Sequence, residues 1–416
     1  MATGTGSRLR ALADYDVLAL TALIWFLAKF LRYAFPPLFP TFRETFGVSN
    51  AALGLAFTAM MTVYAAMQFP SGALADRVGA RQVIVAGAGV AGAGALVLAV
   101  PVPDEVALAV IGGGMLLVGL GTGAHKTVAV RLLSRLYPAR TGRALGILDT
   151  FGAFGGVAAP AAVVAVTGAA LAVPGVGVDW HTLFLVGAVA AGGLAALFLR
   201  RVPPADDATG GDGDGSGGGR GDDADGLRRY AALFREPAFA AFVVVTVCFS
   251  FAYNGAVAFL PLYLTDAAGL PETTASLLYS GLFVVSLVQL VTGDLSDRVG
   301  RLPVIAATLA LAAAALALLL VVSGVLAVGV AVVAFGLGSH GFRPVRGAYL
   351  SAVIPESSAG GGLGVVRTLL MGAGALAPAA VGAVADATGF AAAFGLLAAA
   401  MAAAVAGTGV VAVVDR

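Results

Sequence analysis

Gly72-Ala-Leu-Ala-Asp76-Arg77-Val-Gly79 and Gly293-Asp-Leu-Ser-Asp297-Arg298-Val-Gly300 are one pattern written twice, 221 residues apart (293 − 72 = 221). The same offset pairs Pro40 with Pro261 and Gln68 with Gln289. Further along, Gly119-Leu-Gly-Thr122 answers Gly336-Leu-Gly-Ser339 at 217, which also pairs Lys126 with Arg343; at 218, Gly146 pairs with Gly364 and Pro160 with Pro378. Matches at successive places in one register predict two parallel halves. The slip from 221 to 217 or 218 predicts one short deletion, in a loop around the third and fourth helices of the second half.

Each half is built of apolar runs. The 416 residues are 59% hydrophobic and 11% charged, against about 25% charged in soluble domains. Runs of roughly 20 residues, long enough for about 30 Å of hydrocarbon, recur along the chain. Lipid offers no partner to bare backbone groups, so each run must be helical. A transmembrane barrel needs strict apolar and polar alternation, which is not visible. The expected fold is an all-α membrane protein of twelve transmembrane helices in two six-helix bundles. The expected spans are 16–38, 51–74, 82–102, 106–130, 143–170 and 180–200, then 236–264, 273–294, 302–322, 325–350, 360–385 and 388–412.

The most polar stretch, Pro203 to Gly226, separates the two sets. Its Asp- and Gly-rich run cannot bury enough apolar surface to fold and reads as a tether. This divides the chain into an N-terminal bundle over 1–202, a cytoplasmic linker over 203–229 and a C-terminal bundle over 230–416. Arginines such as Arg77, Arg135, Arg200, Arg229 and Arg301 fall on one side of this arrangement, and Asp104, Glu105, Asp179, Asp266, Glu272 and Asp386 on the other. Basic residues concentrate on the cytoplasmic side, so both termini are expected there. The first run is interrupted by Lys29 and Arg32 and lacks a clear cleavage site, which makes it a membrane helix rather than a signal peptide. A net charge of +1 with dispersed basic residues points away from nucleic acid, and the one cysteine, Cys248, has no intrachain partner. Arginine's excess over lysine, with the Asp/Gly linker, points to a halophilic prokaryote and its plasma membrane.

Gly-x-x-x-Asp-Arg-x-Gly-x-Arg between the second and third helices resembles the signature of the major facilitator superfamily. It is carried by Gly72, Asp76, Arg77, Gly79 and Arg81, and again by Gly293, Asp297, Arg298, Gly300 and Arg301. Glycines allow a tight turn and close helix contact. Asp and Arg can pair with each other and with the end of a neighbouring helix, forming a latch between conformations. Tyr64-Ala-Ala-Met-Gln68-Phe-Pro70 ahead of the motif, and Arg32-Tyr33 ahead of Pro36-Pro37, are similar to the organic-anion branches, the organophosphate:phosphate antiporters and anion:cation symporters. Drug:proton antiporters carry an arginine where Met115 stands, and a Gly-Pro that adjoins none of Gly152, Gly155 and Gly156.

Charges inside a bilayer cost at least about 2.5–3.5 kcal/mol each and need a reason. Lys29 and Arg32 share a helical face with Trp25 and Tyr33. If Pro36 ends the helix, both lie within about two turns of the outer interface, where Arg32 can snorkel and Lys29 reaches with difficulty. The matching face of the seventh helix carries Ser250, Tyr253 and Asn254, either solute contacts or interhelical bonds. Thr122, His125 and Lys126 are echoed by Ser339, His340 and Arg343, and Asp149 by Arg367 at an offset of 218. Asp149 either compensates a cation such as Lys126 or carries a coupling proton. The resemblance puts the first, fourth, seventh and tenth helices along the central path. Lys29, Arg32, Lys126, Arg343 and Arg367 against Asp149 give the membrane interior a positive balance, which attracts an anion.

The expectation is a secondary transporter of a small organic or inorganic anion, needing no cofactor or metal and performing no enzymatic reaction. Lys29, Arg32, Lys126, Tyr253, Asn254 and Arg343 are the expected solute contacts. Asp149, His125, His340 and Arg367 are the candidates for coupling to a proton or a counter-transported ion. The alternative is proton-coupled efflux of a drug-like or amphipathic compound. The three histidines are scattered, and no phosphate loop or nucleophile motif appears.

Overall fold

The computed structural model describes residues 4–167, 179–202, 233–354 and 359–414, so the 203–229 linker lies outside the described residues. Among the described residues twelve helices are long and apolar enough to cross a membrane. Numbered as spans 1 to 12, they are Tyr15–Phe46, Asn50–Val78, Ala80–Leu98, Asp104–Leu136, Pro138–Thr167, Trp180–Arg201, Pro237–Asp266, Glu272–Val299, Arg301–Leu319, Val325–Val353, Gly364–Thr388 and Phe390–Val414. No strand occurs among the described residues.

Span 1 corrects the expected helix end. The helix Gly4–Tyr33 gives way at Ala34 to a second helix, Phe35–Phe46, which continues the same span. Pro36 and Pro37 occupy its first turn, where the missing N–H is not needed, so they start a helix rather than stop one. Lys29 is therefore 14 residues from Tyr15 and 17 from Phe46, at the middle of the span and not near its outer end.

The chain groups into two compact units. One takes residues up to Asp207 together with Pro271–Val284, the first half of span 8; the other takes Ala208–Leu270 and Val285–Arg416. In the first unit span 1 packs on span 5, span 2 on span 4, and span 3 on spans 4 and 6. In the second unit span 7 packs on spans 11 and 12, and span 9 on spans 10 and 12. Small residues carry the close approaches, as expected where lipid supplies no hydrophobic drive between helices. Gly121 lies on the backbone of Gly87 and Ala91, and Gly338, its partner at an offset of 217, lies on Thr308 and Ala312.

The slip in register also has a different origin from the one expected. Spans 4 and 10 begin 221 residues apart (325 − 104) and end 217 apart (353 − 136), so the connections before them have equal length and the four missing residues come from the helix itself. Four residues are about one turn, so the loss shortens span 10 while nearly preserving which face each later residue occupies.

Both copies of the repeated motif close on the same turn. Gly79 has φ 90° and ψ 146°, and Gly300 φ 95° and ψ 153°. Side chains rarely adopt this backbone, which is why the pattern ends in glycine at both places.

Candidate solute site

In the first unit Trp25 gathers the basic residues. Its buried ring lies 5.9 Å from Lys29 Nζ, 5.4 Å from Arg32 Cζ and 5.2 Å from Lys126 Nζ. Cations within about 6 Å of an aromatic centroid are held by its quadrupole, at roughly 0.5–2 kcal/mol each. Gly152 on span 5 makes room for the indole, since a side chain there would strike Trp25 Nε1.

Arg32 does not snorkel. Only 5% exposed, it donates from Nε to the carbonyl of Ala28 (3.2 Å), and its guanidinium lies 3.9 Å from the Tyr64 ring centroid. Helical side chains lean toward the helix N-terminus, and this one reaches back along span 1 toward Trp25. Among the described residues no carboxylate comes within ion-pair distance of it. Lys29 Nζ donates to the Tyr33 hydroxyl (3.4 Å), and the Tyr33 ring packs against Phe283 in the first half of span 8 (centroids 4.7 Å apart).

Lys126 donates to Asp149 across spans 4 and 5, and Asp149 keeps 65% of its side chain exposed. Next to Lys126, His125 is buried and stacks on Trp25 (5.9 Å, 18°). Its Nε2 is 3.0 Å from the Thr21 carbonyl, which can only accept, so Nε2 carries the proton; Nδ1 has no hydrogen-bond partner among the described residues.

In the second unit Tyr253 takes the part of Trp25. Arg343 Cζ lies 4.3 Å from its ring centroid, and His340 meets it edge-on at 5.8 Å. Arg343 and Arg367 both act electrostatically on Arg346. Ser250 Oγ donates to the Leu370 carbonyl (2.6 Å), tying the helices of spans 7 and 11, while the Asn254 amide donates to the Ser250 carbonyl (2.8 Å) and faces Gly374. The remaining histidine, His181, sits apart at the start of span 6. There burial raises the Asp179 carboxyl, but hydrogen bonds from the His181 ring (2.9 Å) and from two backbone N–H groups outweigh it and leave Asp179 below its ordinary range.

The motif's Asp76 is paired differently from the expectation. It takes both guanidinium nitrogens of Arg131 on span 4, Nη2 to Oδ1 at 2.6 Å and Nη1 to Oδ2 at 3.1 Å, rather than Arg77 beside it. The expected bond to a neighbouring helix end is made by Arg81, which donates to the Leu199 carbonyl near the end of span 6. Trp25, Tyr64 and Arg131 were not among the expected functional residues. Trp25 stands four and seven residues before Lys29 and Arg32, a helical stripe that identifies it; Arg131 reads only as one of many cytoplasmic arginines.

Residues 21–288 and 267–415 match the Major Facilitator Superfamily. The chain belongs to this superfamily. SauU, a probable sulfoacetate transporter of Cupriavidus necator, is 28% identical over 292 residues, covering 68% of this chain and 65% of that protein. The match thus spans less than two thirds of that relative. Among solved structures, a bacterial homolog of the human lysosomal transporter Spinster superposes with TM-score 0.76 at 16% identity, over 97% of this chain and 96% of that one. The nucleoside transporter NupG superposes with TM-score 0.71 at 15% identity, over 97% and 99%. These two likenesses carry the fold. As a member of this superfamily of transporters, with twelve helices among the described residues long and apolar enough to cross a membrane, the chain is a multi-pass membrane protein.

Proposed function

We propose that this transporter moves a small organic or inorganic anion by alternating access, in the plasma membrane of a prokaryote, with both termini cytoplasmic. The observation that carries the anion is Arg32, a buried guanidinium at the middle of span 1 with no carboxylate partner among the described residues. A charge in low dielectric is stable only when paired, and the solute supplies the pair. Guanidinium suits bidentate contact with carboxylate, sulfonate or phosphate, and Lys29 and Lys126 add point charges around the same ring. The relative named as a probable sulfoacetate transporter supports an anion of this kind. Tyr253 and Arg343 form the corresponding basic group of the second unit.

The test is equilibrium binding by the purified protein to sulfoacetate, dicarboxylates, phosphate and amphipathic cations. Arg32→Gln is expected to weaken anion binding by roughly one to two decades, the equivalent of a lost charge-assisted hydrogen bond of about 1.5–3 kcal/mol. Equal anion affinity in both proteins, or stabilisation by amphipathic cations alone, overturns the reading in favour of proton-coupled efflux. Orientation is tested with cysteines at Ser7 and Ser216 in a Cys248-free background. A membrane-impermeant thiol reagent is expected to label both only after lysis, and labelling of intact cells reverses the topology.

A further inference from the structure

We infer that the first unit carries a site for an anionic phospholipid: a cavity where spans 1, 4 and 5 meet, in which Arg140 and Arg143 hold the headgroup phosphate. The site is separate from the solute site and does not depend on the anion reading above. The cavity measures about 400 Å³, within the roughly 300–1,000 Å³ typical of ligand pockets. Tyr15 and Leu18 line it from span 1, Tyr137 from the connection between spans 4 and 5, and Arg140, Arg143 and Ile147 from span 5. Span 1 begins, span 4 ends and span 5 begins at this end of the unit, which also carries Arg77, Arg135 and Arg200.

The connection fixes the two arginines in place. Pro138–Arg140 forms one 3-10 turn, closed by the Arg140 N–H donating to the Tyr137 carbonyl (3.0 Å), and the helix Thr141–Thr167 follows at once. Thr141 Oγ1 donates back to the same carbonyl (2.9 Å). Arg140 and Arg143 thus stand three residues apart on successive turns. Both are exposed, and neither has an ion-pair partner among the described residues. Asp16, beside Tyr15, is engaged by Arg201 instead (3.1 Å). Two adjacent guanidiniums without a carboxylate are matched by the charge and the oxygen geometry of a phosphate.

The placement of the cavity makes a lipid, rather than a free ion, the source of that phosphate. Asp149 and Gly152 turn one face of span 5 to Lys126 and Trp25. At about 100° per residue, Ile147 lies about 160° from Asp149 and about 140° from Gly152 around the helix, and Arg143 about 180° from Gly152. These two are therefore on the far side of span 5 from the solute site. Phe154, seven residues beyond Ile147 on the same face, is exposed inside the span, where an aromatic ring meets acyl chains. The face thus runs from two cations at the end of the span to apolar surface within it, the order of a phospholipid's head and tail. Tyr15 and Tyr137 stand at the level of the cations, and tyrosine favours the membrane–water interface. A free phosphate would satisfy the arginines and leave Ile147 uncovered; a phospholipid covers both. Two cations select a headgroup of net negative charge over a zwitterionic one.

The experiment follows thermal unfolding, and lipid retention by native mass spectrometry, of the purified full chain in detergent with added phosphatidylglycerol, phosphatidylcholine or inorganic phosphate. Wild type is expected to retain phosphatidylglycerol and to unfold at a higher temperature with it, and to respond to neither phosphatidylcholine nor phosphate. Arg140→Gln combined with Arg143→Gln is expected to unfold at the wild-type temperature without lipid, since both side chains are exposed. It should bind phosphatidylglycerol roughly thirtyfold more weakly, the contribution of two basic residues beside anionic lipid. Arg135→Gln combined with Arg200→Gln removes the same charge from the same end, outside the cavity, and should keep wild-type retention. Equal loss in the two double variants, or no loss in either, overturns the site. An equal rise with phosphatidylcholine, or with phosphate alone, overturns the assignment of an anionic lipid.

Discussion

The two copies of the repeated motif share a backbone and differ in their bonds. Gly79 and Gly300 adopt nearly the same left-handed turn, φ 90° and 95°. Yet Asp76 is held by both nitrogens of Arg131, while Asp297 has no ion-pair partner among the described residues. The difference follows from one position: at the offset of 217 that relates spans 4 and 10, Arg131 corresponds to Ala348. Deeper in the membrane the contrast recurs, with Asp149 compensating Lys126 in the first unit where the second carries Arg367 at the equivalent place. Duplication has thus preserved the turn, which backbone sterics enforce, and let the ion pairs diverge.

If the turn is the shared element, its loss should cost both units alike. Gly79→Ala and Gly300→Ala each force a side chain into a region populated almost only by glycine, at about 1–3 kcal/mol. A Cβ on Gly79 would also meet Gln82 Oε1 at 2.7 Å, but that is the far end of a flexible side chain, whereas Gly300 has Pro303 at 3.7 Å. Both variants are expected to lower the midpoint of thermal unfolding in detergent by similar amounts. A loss confined to one of them would break the equivalence of the two turns.

Much of this fold was legible because hydropathy and repeat register are one-dimensional signals. The twelve spans, the doubled motif and the glycine at each turn follow from spacing alone. Span 1 was misjudged because Pro36-Pro37 has two physical outcomes, stopping one helix or opening the next, and tertiary packing decides between them. That choice moved Lys29 and Arg32 from near the end of span 1 to well inside it. At the site, the pairing of Lys126 with Asp149 was foreseeable as charge compensation between neighbouring helices. The partner of Asp76 was not, since Arg131 is 55 residues away in a chain whose cytoplasmic ends all carry arginine. Likewise the 5% exposure of Arg32 depends on Tyr64 from another helix, which no periodicity within span 1 reports.

The smallest expected effect is also the most direct measure of the contrast. Asp76 and Arg131 are about half exposed, so their bidentate bond is expected to contribute only about 0.2–1 kcal/mol to stability. Asp76→Asn should lower the unfolding midpoint slightly, Asp297→Asn less, and the first effect should shrink at high salt, where screening weakens exposed pairs. In a double-mutant cycle, Asp76→Asn combined with Arg131→Gln should lose less than the sum of the single losses, because each change removes the same bond. Asp297→Asn combined with Arg131→Gln should be additive, since these two share no bond. Transport is the sharper readout: a bond of this size does little for a folded bundle, yet 1 kcal/mol changes the ratio of two conformations about fivefold. Asp76→Asn is therefore expected to impair transport more than it impairs folding. Additivity of Asp76→Asn with Arg131→Gln in both stability and transport would leave the latch without a partner and return the two motifs to equivalence.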